Sequence, residues 1–135
     1  MKKIYDIKQY NEDIDTISNL QLPWNKLSNK SLMISGATGM IGSFLVDVIF
    51  HKNNTENLNC TVYALGRSWE RMKDRFGALA NDPCFVYINY DVKEPLVNDN
   101  IGNVDYVLHL ASNTHPMQYS TDPIGTITTD RKSVV

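Results

Sequence analysis

Only two cysteines, Cys60 and Cys84, occur in the 135 residues. Two lone thiols are too few for a disulfide framework or a thiolate metal centre. Each falls in a strand-like run, where a cysteine behaves as a small buried hydrophobe. No metal site is therefore expected. An excess of one charge is also missing: 13 Lys and Arg stand against 15 Asp and Glu, for a net charge of −2. That balance removes any general electrostatic reason to bind nucleic acid or an anionic membrane. No apolar run approaches the roughly 20 residues a bilayer-spanning helix needs. Met1-Lys-Lys-Ile-Tyr-Asp6 has a basic start but no apolar segment behind it, so a secretory signal is not expected. The sequons at Asn29, Asn53 and Asn59 carry little weight without secretion, and a cytoplasmic location follows as the expectation. Repeats and low-complexity tracts are absent. What remains, 42% hydrophobic and 21% charged, suits about one globular domain long enough to bury a core.

The hydrophobic pattern changes period along the chain. Ile4, Ile7, Tyr10, Ile14, Ile17 and Leu20 recur at steps of three and four, which predicts an amphipathic helix stopped by Pro23. Trp24 and Leu27 then pin the connection to the body. A strand is predicted at Ser31–Ser35, a helix at Met40–His51 and a polar loop at Lys52–Asn59. A second strand at Thr61–Leu65, a helix from about Trp69 to Ala80, and strands at Phe85–Asn89 and Tyr106–Leu110 follow. Strands alternating with helices give a parallel sheet with right-handed crossovers. The last strand is short and apolar, as expected of one covered on both faces.

Gly36, Gly39 and Gly42 punctuate the passage from the first strand into its helix, in the sequence Ser31-Leu-Met-Ile-Ser-Gly-Ala-Thr-Gly-Met-Ile-Gly42. Glycine permits positive φ and lets ligand oxygens approach the backbone. The helix behind such a turn offers unpaired N–H groups and the positive end of its dipole. A strand–turn–helix of this kind, with a second strand at βαβ distance, is a phosphate cradle and points to a bound nucleotide. At the end of the second strand an acidic residue ordinarily bonds the adenosine ribose, but Gly66-Arg67-Ser68 stands here. Arg67 leans toward a 2′-phosphate or stacking on adenine, with a solvated helix start the alternative.

The segment Ile34-Ser-Gly-Ala-Thr-Gly-Met-Ile-Gly-Ser43 resembles the extended short-chain dehydrogenases/reductases, the NAD-dependent nucleotide-sugar epimerases and dehydratases. The likeness covers residues 1–129 and corresponds to the N-terminal part of such an enzyme. It implies a Rossmann-like doubly wound α/β sheet, truncated to about four strands, with an N-terminal helical arm over 1–30 and a partial NAD(P)-binding domain over 31–129. It also implies NAD or NADP as cofactor and a nucleotide sugar as substrate. The cofactor-binding residues it implies are Gly36, Thr38, Gly39, Met40, Ile41, Gly42, Arg67, Asp91, Val92, Leu110, Ala111, Ser112 and Thr114. Asp91 and Val92 would flank the adenine, with turn capping the alternative for Asp91. His109-Leu-Ala-Ser-Asn-Thr-His115 resembles the family's His-x-Ala-Ala segment, with Ser112 in place of the second alanine. His109 is expected to make a structural hydrogen bond. Thr114 and His115 enter a loop that faces nicotinamide and substrate in relatives, and Asp122-Pro123 resembles the start of the next helix.

The family's chemistry rests on Tyr-x-x-x-Lys, in which the tyrosine exchanges the substrate hydroxyl proton and the lysine lowers its pKa. None of Tyr5, Tyr10, Tyr63, Tyr87, Tyr90, Tyr106 and Tyr119 has a lysine four residues on. No catalytic residue is assigned, and little or no turnover is expected. Residues 130–135 depart from the family pattern; an altered reading frame and a natural ending both account for them. A sheet cut after four strands would expose an apolar edge, which predicts self-association or marginal stability. A non-catalytic dinucleotide sensor and an interaction module with an empty glycine loop remain alternatives.

Overall fold

Four parallel strands form the centre of the chain in the computed structural model, which describes residues 3–91, 95–96 and 101–111. They are β1 (Ser31–Ser35), β2 (Thr61–Gly66), β3 (Phe85–Asn89) and β4 (Tyr106–His109), in the spatial order β3-β2-β1-β4. Register places Ser35 opposite both Leu65 and His109, and Gly66 opposite Asn89, so the carboxyl ends of all four strands share one edge.

The reason for a parallel sheet lies in the unbroken apolar runs. Leu32 and Ile34 face one side of β1, where they meet Val62, Ala64, Val46 and Phe50; Met33 faces the other with Tyr63, Leu65 and Ile88. Residues buried on both faces need apolar side chains at successive positions rather than alternate ones. Helices α2 (Met40–Glu56) and α3 (Trp69–Phe76) cover the first face. Phe85 lies between Phe50 and Phe76, with ring centroids 6.0 and 5.3 Å away.

Several boundaries differ from the sequence reading. The helix expected to stop at His51 continues through the supposed polar loop to Glu56 and ends at Asn57, whose φ is +53°. Tertiary contacts override the weak propensity of that stretch. Lys52, nearly fully buried, donates to Ser18 O at 2.8 Å and pairs with Glu56 at 2.9 Å. Asn53 exchanges two hydrogen bonds with the Cys60 backbone, each 2.9 Å. The helix expected to reach Ala80 stops at Phe76, where Gly77 takes a positive φ, and the chain goes on as a 3-10 turn, Gly77–Asn81. The single N-terminal helix is instead a 3-10 turn, Ile4–Asp6, and a helix α1 (Lys8–Ser18).

Among the described residues, β4 is also not covered on both faces. Tyr106, Val107 and Leu108 are 41%, 66% and 36% exposed, because β1 flanks only one edge of β4 and the helices α2 and α3 pack over the other strands. Trp24 and Leu27 pack against the core as expected.

The arm is held by charge as well as by apolar contact. Buried Asp47 of α2 and half-buried Arg75 of α3 form an ion pair at 2.8 Å. Tyr5 donates to Asp47 at 2.7 Å, and Tyr10 donates to its other carboxylate oxygen; Arg75 donates to both hydroxyls, at 3.1 and 2.7 Å. Burial first, then the bond to Asp47 and its charge, raises both phenols, Tyr10 to about 12. Burial disfavours the Arg75 cation, and Asp47 outweighs it, so the guanidinium is held above its usual value.

Candidate functional site

The edge formed by the strands' carboxyl ends carries the glycine turn. Leaving β1, the chain enters the left-handed region at Gly36, with φ +71°. A side chain there is excluded twice over, since a Cβ would lie 2.6 Å from Leu110 C and 2.7 Å from Ala111 N. Gly39 N donates to Gly36 O at 3.0 Å and closes the turn; Gly39 then caps α2 with no side-chain hydrogen bond. A Cβ on Gly42 would lie 2.3 Å from Gly36 O, so the helix begins pressed against the turn. Thr38, Gly39, Met40 and Ile41 are all exposed, Met40 at 91% and Ile41 at 65%. Two large apolar side chains thus stand in the open beside a helix N-terminus whose first N–H groups have no partner within the helix.

The turn lies at the point where the strand order reverses, β2 and β3 to one side of β1 and β4 to the other. In open parallel sheets the crevice at that point is where ligands lie. Leu110 and Ala111 form its opposite wall, directly against Gly36. Arg67 follows β2 and is exposed; Asp91 follows β3 and is half-buried. Gly66, at the position ordinarily acidic, uses its carbonyl to accept from Tyr87 OH at 3.1 Å and Tyr90 N at 2.9 Å. The structure therefore places Gly36, Thr38, Gly39, Met40, Ile41 and Gly42 at the carboxyl edge of the sheet with Leu110 and Ala111 against Gly36, and Arg67 and Asp91 follow neighbouring strands along the same edge. Val92, Ser112 and Thr114 lie outside the described residues, as do His115, Tyr119 and Asp122.

His109 makes the structural hydrogen bond expected of it, with Nδ1 2.6 Å from Ser35 Oγ. Its partner went unremarked in the sequence. Ser35 is buried, and its Oγ also accepts from Leu110 N at 3.1 Å and Ala111 N at 3.3 Å. The available signal was a hydroxyl residue closing an otherwise apolar strand immediately before Gly36.

A glycine turn opening a helix at the reversal of a parallel sheet defines a Rossmann-like α/β protein. A profile of the NAD dependent epimerase/dehydratase family matches residues 32–135, and the chain belongs to that family. It is 35% identical over 103 residues to UDP-glucuronic acid decarboxylase 5 of Arabidopsis thaliana, covering 76% of this chain and 28% of that protein. Against UDP-glucuronic acid decarboxylase 3 of the same plant the identity is 36% over 102 residues, covering 76% and 27%. The chain thus spans about a quarter of the length of these relatives. Pen from Bacillus thuringiensis shares the fold, with a TM-score of 0.61 at 19% identity, covering 78% of this chain and 32% of that one.

Proposed function

We propose that residues 31–129 bind NAD or NADP as the cofactor portion of a cytoplasmic nucleotide-sugar epimerase or 4,6-dehydratase serving polysaccharide assembly. Residues 1–30 are then an arm and 130–135 an atypical tail. One observation carries this reading: the approach of Leu110 and Ala111 to within 2.7 Å of where a Gly36 Cβ would stand, beside an open helix N-terminus. A pyrophosphate suits that opening, because free N–H groups and the dipole favour an anion there. The three glycines of the turn, Gly36, Gly39 and Gly42, suit the close approach of such a group. In such an enzyme the group would supply transient hydride transfer at a sugar carbon.

This chain's own residues supply positioning. The Gly36–Gly42 turn and the first turn of α2 would hold the pyrophosphate, Leu110 and Ala111 the ribose side, Asp91 the adenine. With no carboxylate at Gly66 and Arg67 beside it, the edge favours a 2′-phosphate, and NADP over NAD. The relatives' names point to a UDP-linked sugar as substrate class. The sequence holds no Tyr-x-x-x-Lys, so binding without turnover is the expected behaviour.

Titration calorimetry with NAD, NADH and NADPH tests the reading. Binding of at least one, with no conversion of UDP-, dTDP- or GDP-sugars, is expected; no binding of any would overturn it. Arg67→Ala is expected to weaken NADPH about tenfold, the worth of one charge-assisted contact, while leaving NADH unchanged. Equal losses for both would remove the 2′-phosphate assignment.

A further inference from the structure

We infer that Ser35 and His109 form a positioning pair that fixes the Leu110–Ala111 wall against the glycine turn and sets the dinucleotide site's affinity. The inference rests on the binding role proposed above and assigns the geometry of that site to two residues outside the turn.

Hydrogen-bond accounting carries it. A serine hydroxyl has one proton to donate and two lone pairs to accept with. Ser35 Oγ accepts from Ala111 N at 3.3 Å and, at 3.1 Å, from Leu110 N, whose one proton is shared with Ser35 O, so both lone pairs face a donor. Its proton therefore goes to His109 Nδ1, 2.6 Å away. His109 Nδ1 is then an acceptor, and the ring carries its proton on Nε2. The other tautomer would set a third donor against an oxygen with no free lone pair. The chosen one leaves Nε2–H buried with no partner among the described residues. A buried donor without a partner is costly. The ring is held in that state because turning it would release the hydroxyl that fixes the wall.

The consequence is mechanical. Ala111 N converges on Ser35 Oγ together with Leu110 N, which Ser35 O also holds, so the chain leaving β4 is drawn over Gly36 at the end of β1. A Cβ at Gly36 would strike that same backbone. Close approach is thus set from both sides: glycine removes the obstacle and Ser35 supplies the pull. Ser35 sits opposite His109 in the β1–β4 register, so one side chain joins the two strands whose ends bound the crevice.

Imidazole nitrogen NMR of the full chain, with titration calorimetry against NADH and NADPH, tests the pair. Wild type should show His109 in the Nε2–H tautomer, Nδ1 unprotonated. Ser35→Ala should lose that signature and bind its dinucleotide about tenfold more weakly, since Ala111 N loses the hydroxyl while Leu110 N keeps only Ser35 O. Ser35→Thr should restore both. Should Ser35→Ala not fold, Ser35→Cys, a poorer acceptor of nearly the same shape, takes its place with the same expectation. A protonated Nδ1 in wild type, or unchanged affinity in Ser35→Ala, overturns the pair while leaving dinucleotide binding in place. Failure of wild type to bind any dinucleotide overturns the binding role itself and, with it, the pair's function.

Discussion

Gly36 bears two constraints at once, and they have separate energetic origins. Its φ of +71° costs an L-residue about 1–2 kcal/mol. The backbone of Leu110 and Ala111 leaves no room for a methyl group. Gly36→Ala is therefore expected to lose about 2 kcal/mol or more of stability in urea unfolding, and to bind no dinucleotide. Gly77 provides the contrast: its φ is also positive, at +58°, but nothing lies within 4 Å of its would-be Cβ. Gly77→Ala should cost only the conformational part, about 1–3 kcal/mol, and leave the glycine turn at Gly36 intact. At this scale the sequence was informative about glycines and mute about Ser35, because a hydroxyl's partners depend on which strand lies beside it.

The arm and the two helices beneath it meet around Asp47. Replacing Asp47 by alanine leaves Arg75 half-buried among Tyr5, Tyr10 and Phe76 without its counter-ion. That is expected to cost about 3 kcal/mol in urea unfolding. Tyr10→Phe removes one donor and should cost about 1 kcal/mol. High pH acts on the same contact. The folded state raises the Tyr10 hydroxyl to about 12, chiefly through burial and then through Asp47. A raised pKa means the folded state favours the neutral phenol. Its contribution is whole below pH of about 10, where the unfolded tyrosine is still neutral, and is lost as pH rises through about 12. Ultraviolet titration of tyrosinate should show Tyr10 ionising with loss of arm docking, and Asp47→Asn should bring that transition to lower pH. The strands were legible because β1 and β3 are uninterrupted apolar runs. The last turns of α2 were not, since Lys52 owes its helical place to Ser18 and Trp24, remote in sequence, and Asn53 to the Cys60 backbone beyond the helix end.

For the molecule as a whole, the open flank is β4. Its exposed Tyr106, Val107 and Leu108 offer an apolar strand with one free edge among the described residues, a surface open to pairing with another copy. We expect concentration-dependent self-association in sedimentation velocity, weakened by Val107→Lys, which places a charge on the most exposed of the three. A monomer at every concentration would defeat this expectation. The arm works at the same scale. Its deletion through Leu20 would uncover Ile14's site on α2 and strand Asp47, and should lower the melting temperature while leaving the glycine turn's sequence untouched.

The sequence by itself determined the parallel sheet, the order in which strands and helices follow, and the glycine cradle. Each depends on neighbours within a few residues: apolar runs for buried strands, glycine where the backbone turns, a helix where the period becomes 3.6. The tertiary structure alone decided that Leu110 and Ala111 close over Gly36, that Ser35 and His109 hold them there, and that Asp47, an acidic residue on an apolar helix, is buried beneath the arm. Those depend on residues 74, 75, 76, 42 and 37 positions apart, for Ser35–His109, Ser35–Leu110, Ser35–Ala111, Tyr5–Asp47 and Tyr10–Asp47. Directional hydrogen bonds across such separations leave no periodic trace in a chain.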